Sequence, residues 1–339
     1  MSRYSSDSGM LHRFQGSVYG QRPRKRGKPS FPVFSIILIL LVLSGLGFGA
    51  WKLFRSLRNA SPENAETPRT GIVNSDPAMT EANREKIQKQ EEISENKRVY
   101  NQAVVAWKAE EYEVASELIR SILLSVDVND PLFDQCRLLL NRCSEALYRG
   151  QGFSGNLIEY TVVRGDNLSR IAKKFGTSVA AIQQVNGMAP NDTRLQIGQK
   201  LQVYSSDWKV ILEKNRKLLM LYDAGKLFKV YRIVIGTMVT ERMSGNYKII
   251  KKERNPVWKE GGKTFPAGNR DNILGVRWIG LQPLENNTGA VSTGLHGNNM
   301  NLSRLDQEVV AKGFFLMNND DADNVSLLLP LGTEIQITD

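Results

Sequence analysis

The residues best suited to chemistry lie near the C-terminal end of this 339-residue chain. Leu295-His296-Gly297 is followed by Gly313-Phe314-Phe315-Leu316-Met317-Asn318-Asn319-Asp320-Asp321. An imidazole such as that of His296 is a candidate general base, and such a base serves a nucleophile held within hydrogen-bond reach. No thiol is available, because the two cysteines are Cys136 and Cys143, far upstream. The hydroxyls nearest to His296 in sequence are Ser292, Thr293 and Ser303, whose ordinary role is loop hydrogen bonding. With two histidines and no Cys-x-x-Cys, no metal site and no cofactor are expected. The acidic run Asp320, Asp321 and Asp323 lacks the spacing and glycine of a calcium loop, and reads as acids opening a helix.

The elements that must position these groups are mostly strands. From Trp208 the chain shows β runs at Lys209 to Glu213, Lys217 to Tyr222, Leu227 to Ile235 and Asn246 to Lys251, with a turn at Asp223-Ala224-Gly225-Lys226. No long helical period interrupts them until about Ser303, so residues 207–339 are expected to form a mainly antiparallel β-sandwich. Only Ser205 and Ser206 separate this region from the preceding module, which should hold the two close together. That module, residues 158–204, reads as βααβ. Leu168, Ile171, Ala172 and Phe175 form one helix face behind an Asp166 cap, Val179 and Ile182 mark a second helix, and short β-branched runs flank both.

Residues 81–149 are helical in composition, with Asp130 and Pro131 expected as N-cap and first helical residue. Cys136 and Cys143 are seven residues apart on one helix, which separates their Cα atoms by about 10 Å, beyond the roughly 7 Å reach of a disulfide. They are expected in a helix core. Ala103, Trp107, Tyr112, Ala115 and Leu118 resemble a tetratricopeptide helix pair, but only about one repeat, and stacked repeats need neighbours to bury their faces. The segment therefore reads either as a helical hairpin extending a spacer or as a docking element for a protein partner.

At the other end, Val33 to Trp51 carries no charge and spans about 28 Å as a helix. This is expected to be a transmembrane helix (33–51), since a cleavable signal peptide has a shorter apolar region and a small-residue cleavage site. A basic tail (1–32) with Arg22, Arg24, Lys25, Arg26 and Lys28 precedes it, and a Pro/Ser/Asn/Thr-rich linker (52–80) follows. The charge asymmetry places the N-terminus in the cytoplasm and the rest of the chain in the periplasm or envelope. Seven Arg/Lys against one Asp in the first thirty residues account for much of the +10 net charge, so nucleic acid is not an expected partner.

Two resemblances give these observations a context. Tyr160-x-Val162-x-x-Gly165-Asp166-x-Leu168-x-x-Ile171-Ala172, with Asn186 and Ile197-Gly198-x-x-Leu201, resembles a LysM module over its whole length. That family binds N-acetylglucosamine-containing glycans, which implies a groove formed by Gly165, Asp166, Asn167 and Leu168 on one side and Gly187, Met188, Ala189 and Ile197 on the other, with plain core packing an equally open reading for Leu168 and Ile197. The segment around His296 resembles the L,D-transpeptidase (YkuD-like) motif, a His-Gly followed by Ser-x-Gly-Cys-x-Arg-Met-x-Asn-x-Asp. Leu219-Met220-Leu221-Tyr222, Ser244-Gly245-Asn246-Tyr247, Asn255-Pro256-Val257-Trp258, Asn272-x-Leu274-Gly275 and Pro330-x-Gly332-Thr333 extend the likeness over residues 208–338. In that family the Cys attacks a peptidoglycan stem peptide and the His takes its proton. Aligned so, Ala311, Phe314 and Leu316 stand where the family has Ser, Cys and Arg, while His296 keeps the base position and Gly313 the oxyanion loop.

Removing the nucleophile from a nucleophile and base pair costs about six orders of magnitude in turnover. The expected protein is therefore a membrane-anchored, peptidoglycan-binding scaffold or regulator with an inactive transpeptidase-like domain. The alternative is an active L,D-transpeptidase that uses an unconventional nucleophile.

Overall fold

The computed structural model describes residues 77–151, 156–239, 243–269, 271–284, 292–298 and 313–339. The basic tail, the expected transmembrane helix and nearly all of the linker lie outside the described residues, as do Ser303 and Ala311. Among the described residues, no helix is long and apolar enough to cross a membrane.

Three helices come first: α1 (Pro77–Lys108), α2 (Tyr112–Leu123) and α3 (Pro131–Tyr148). The start of α3 follows from its sequence: Pro131 occupies its first turn, and the Asp130 carboxylate accepts a hydrogen bond from Leu132 N at 2.8 Å. Cys136 and Cys143 are free thiols in the helical core beside Ile119, Leu123 and Phe133. The βααβ module comprises β1 (Leu157–Thr161), α4 (Leu168–Lys174), α5 (Val179–Val185) and β2 (Lys200–Tyr204), with β1 and β2 paired antiparallel. Its helix cap differs from expectation. Asn167 caps α4 by accepting from Arg170 N, while the Asp166 carboxylate accepts from Tyr160 Oη and Val163 N and so braces the turn before the helix.

The C-terminal region is built on β3 (Trp208–Glu213), β4 (Leu218–Asp223), β5 (Lys226–Arg232), β6 (Val234–Ile235), β7 (Gly245–Arg254), β8 (Trp258–Glu260), β9 (Lys263–Phe265), β10 (Arg277–Pro283), β11 (Thr293–His296), β12 (Phe315–Leu316), α6 (Asn319–Leu328) and β13 (Glu334–Thr338). Among the described residues the region forms one nine-stranded, mainly antiparallel sheet, ordered β5-β4-β3-β13-β7-β10-β11-β12-β6, and the separate β8–β9 ribbon. Two joints are parallel, β3 with β13 and β11 with β12. Parallel neighbours require a crossover connection. In sequence, residues 297–314 join β11 to β12, and β13 inserts between β3 and β7 after α6. One core unites Leu212, Leu219, Tyr247, Ile279, Leu295 and Phe315 of the sheet with Val325 and Leu328 of α6.

The α1–α3 segment is not an extension of the spacer. Its apolar side packs on the opposite face of the sheet's end, against Leu218, Met220, Leu227 and Val230. It also covers the edge strand β5. Asn141 donates to Val230 O and accepts from Val230 N, both at 2.9 Å, Arg120 Nε donates to Leu227 O at 2.8 Å, and Ser144 Oγ donates to Phe228 O. An uncovered edge would leave these backbone groups open to pairing with another chain. Lys229, 3% exposed, adds a charged tie by donating to Glu145 of α3 at 2.6 Å and Asn324 of α6 at 2.9 Å.

Two predictions follow from this cover. A fragment of residues 151–339 should aggregate on refolding where residues 77–339 remain monomeric, as read by light scattering. Asn141→Ala in the full chain should cost about 1–3 kcal/mol in urea unfolding, since it strands both polar groups of a buried backbone position.

Candidate functional site

His296 ends β11 and is fully buried. Its Nδ1 lies 2.8 Å from Gly297 O, so that nitrogen must carry the proton and donate. The other nitrogen, Nε2, is then the lone-pair atom, and it has no hydrogen-bond partner among the described residues. Burial pushes the imidazole down to about 4, against the opposing pull of the Gly297 and Ile273 carbonyls. At neutral pH the ring is therefore uncharged and fixed in one tautomer. Its low proton affinity also makes it a weak base, since efficient general bases titrate near the working pH.

What faces His296 is aromatic. The Phe314 ring stands nearly perpendicular to the imidazole at 5.8 Å between centroids, to Trp278 at 5.0 Å and to Trp258 at 6.3 Å. Trp278 is the cross-strand partner of His296, with ring centroids 6.0 Å apart. Such edge-to-face arrangements are favourable geometries for aromatic pairs. Trp278 can lie there because its neighbour on β11 is Gly294, where a Cβ would come within 2.4 Å of the indole. Asn272 holds the ribbon that carries Trp258 by donating to Pro256 O at 2.8 Å and Phe265 O at 3.1 Å.

The sequence-selected positions fall around this box. Gly313 O accepts the Thr293 hydroxyl, which turns that hydroxyl's proton away from the imidazole, and Phe314 O accepts from Gly236 N at 3.0 Å. Leu316 is fully buried and stands in register with His296 across the parallel β11–β12 joint. Asn319 Oδ1 accepts from Val276 N at 3.0 Å and lies against Gly275 and Gly297, so the start of α6 clamps the loop after His296. Asn318 caps that helix by accepting from Asp321 N at 2.7 Å. Sequence reasoning missed the parts played by Trp258 and Trp278. Their signal was two tryptophans placed among short strands that must face the same site.

In the βααβ module the second candidate set divides by exposure. Leu168 is 2% exposed and packs with Ile171 and Ile182. Ile197 is 73% exposed, the opposite of a core residue. Gly165, Asn167, Gly187 and Ala189 are exposed, and Met188 is half-buried against the module core. Asp166 is held below the usual carboxylate range by the Val163 N–H and the Tyr160 hydroxyl, so its carboxylate already serves the local turn. The set surrounding His296 and this set belong to separate modules.

The depressed imidazole has a consequence for stability. The unfolded chain, with an ordinary value of 6.5, binds a proton that the native chain resists. Stability from this group is complete above 6.5 and is lost as pH falls from 6.5 towards 4, by on the order of 3 kcal/mol. His296→Asn should flatten urea-unfolding stability across that interval. An unchanged slope would show that another group titrates there.

A LysM domain model matches residues 160–203. The chain is 27% identical over 187 residues to the Bacillus subtilis L,D-transpeptidase-family protein YkuD, covering 53% of this chain and 99% of that protein. It is 30% identical over 130 residues to YqjB of Bacillus subtilis, another protein named for the same family, covering 38% of this chain and 70% of that one. Among solved structures, an L,D-transpeptidase from Stackebrandtia nassauensis shares 14% identity at a TM-score of 0.30, over 65% of this chain and 89% of that one, too loose a superposition to carry residue roles. With the His-Gly loop and its Asn319 clamp in place, the chain belongs to the L,D-transpeptidase family and carries a LysM domain.

Proposed function

We propose that this protein is a membrane-anchored binder of peptidoglycan whose transpeptidase-like domain no longer catalyses transfer, and which acts as a wall-binding scaffold or regulator. Peptidoglycan binding and cross-linking are what the LysM and L,D-transpeptidase resemblances support at family level. The loss of catalysis rests on one observation. The lone-pair nitrogen of a buried, neutral His296 has no partner among the described residues, and the Phe314 ring lies 5.8 Å from the imidazole between centroids.

Acyl transfer needs an attacking electron pair that a nearby base can unmask. A phenyl ring has no such pair, and no cysteine follows Cys143. Thr293 does not substitute, because its hydroxyl donates to Gly313 O. Ser292 is exposed, while His296 is fully buried. Leu316 brings no cation to hold a substrate carboxylate. Removal of these groups leaves the architecture able to bind a wall polymer and unable to turn it over. The anchor at residues 33–51 would keep the binding modules on the outer side of the membrane. The remaining exposed faces of α1–α3 are free for a protein partner, since only their inner side covers the sheet.

Two assays test this reading. The full chain should sediment with purified sacculi and be released by excess chitooligosaccharide; failure to sediment removes the glycan claim. Incubated with a tetrapeptide donor, it should release no D-alanine by mass spectrometry. Release that His296→Ala abolishes would instead establish an unconventional nucleophile.

A further inference from the structure

A cleft of about 980 Å³ opens between the LysM module and the sheet, and it is lined neither by His296 nor by any residue of the expected glycan groove. Its size suits a ligand of several residues, since binding sites for small molecules commonly fall between about 300 and 1,000 Å³.

The walls are fixed relative to each other. Gly176, at the end of α4, approaches Ser206 so closely that a Cβ would lie 2.1 Å from the Ser206 carbonyl oxygen, and Ser206 N donates back to Phe175 O at 3.0 Å. Ser178 Oγ donates to Leu327 O of α6, closing the cleft at a second point. A ligand therefore meets a preformed site and loses little affinity to ordering it.

The lining has a definite chemistry. Lys173 stands on the LysM wall and Lys248 and Lys252 stand on β7, and Asp207 and Glu334 belong to the same lining. Lys252 donates to Ser326 O and Leu329 O, both at 2.7 Å, at the end of α6, which leaves one of its three N–H groups without an acceptor among the described residues. Burial pushes this ammonium down to about 8, so it remains charged at neutral pH and gains by meeting an anion. Trp208 supplies an aromatic wall, and its Nε1 has no acceptor among the described residues. Leu331, 61% exposed, adds an apolar rim.

We propose that this cleft is a second binding site that takes a short peptide bearing more carboxylates than ammonium groups. Three ammonium groups select the carboxylates, the two acidic residues accept the ligand's amine, and Trp208 with Leu331 covers its aliphatic parts. Resting on the function proposed above, the ligand is the acidic stem peptide of the polymer whose glycan the LysM module holds. The two modules then read two chemical parts of one chain, and linking two weak sites in this way raises the overall affinity without any new contact.

The test uses the full-length protein in detergent and calorimetric titration with two separate probes: the tetrapeptide L-alanyl-γ-D-glutamyl-meso-diaminopimelyl-D-alanine and chitotetraose. Lys173→Glu combined with Lys248→Glu changes two exposed residues. It should weaken tetrapeptide binding about tenfold or more while leaving chitotetraose binding unchanged, which also reports an intact fold. A tetrapeptide with its carboxyl groups amidated should bind the wild type as weakly as the free peptide binds the double variant. Unchanged tetrapeptide affinity in the double variant overturns the proposal, as does a wild type that does not bind the tetrapeptide. Loss of tetrapeptide binding in Trp258→Ala, with none in the lysine pair, moves the peptide to the aromatic box and also overturns it. Failure of chitotetraose alone would sink the glycan reading and leave the cleft standing.

Discussion

The arrangement of this protein depends on one buried carboxylate. Asp223, 5% exposed at the β4–β5 turn, accepts hydrogen bonds from Tyr204 Oη at 2.9 Å, Asn156 Nδ2 at 2.9 Å and Asp207 N at 2.8 Å. Tyr204 ends the LysM module, Asn156 precedes it and Asp207 opens the sheet, so a single side chain holds both ends of one module to the turn of the next. Hydrogen bonds to a charged acceptor contribute about 1.5–3 kcal/mol each, and leaving a buried carboxylate unpaired costs more than any one of them returns. The aromatic stack of Tyr148, Tyr204, Phe228 and Trp208 surrounds this node, with centroids 5.0 to 6.0 Å apart. Helix α3, the LysM module and the sheet therefore meet at one point. The modules cannot swing freely, and the cleft between them has a fixed width.

The same dependence explains why the helices belong to the domain. In sequence, residues 81–149 look separable, since their periodicity satisfies itself and only a weak repeat likeness is present. The sheet makes them necessary. Edge strand β5 has backbone groups that β4 does not satisfy, and Asn141, Arg120 and Ser144 reach them from α2 and α3. Lys229 would carry an isolated charge into the interior without Glu145. Any role for α1–α3 in recruiting a partner must therefore use their outward faces, because the inward face is already occupied.

Local patterns were legible where they were self-contained. The Asp130-Pro131 helix start, the βααβ order, the Asp223-Lys226 turn and the helix opened by Asp320 and Asp321 each depend on a few adjacent residues, and each is found. The cap of α4 was misplaced by one residue because Asp166 and Asn167 are both good caps, and the choice was made by Tyr160, six residues upstream, which engages Asp166 instead. Parallel joints were not legible. They are set by crossovers through residues that need have no strand pattern, and sequence periodicity reports only which face of a strand is buried. The aromatic box was hidden for the same reason. Trp258, Trp278 and Phe314 lie far apart in sequence and converge only when β8, β10 and β12 are placed.

The persistence of His296 has a structural explanation that does not involve catalysis. Its Nδ1 proton satisfies Gly297 O in a loop that Asn319 also clamps, and its ring fills a buried position against Trp278. An aliphatic replacement would leave that carbonyl without its donor, and a smaller polar one would leave space beside the indole. Its Nε2, the lone-pair nitrogen, has no hydrogen-bond partner among the described residues, and the Phe314 ring lies 5.8 Å from the imidazole between centroids. The two nitrogens thus separate the roles within one ring. The nitrogen that builds the loop keeps its bond, while burial lowers the affinity of the other for a proton.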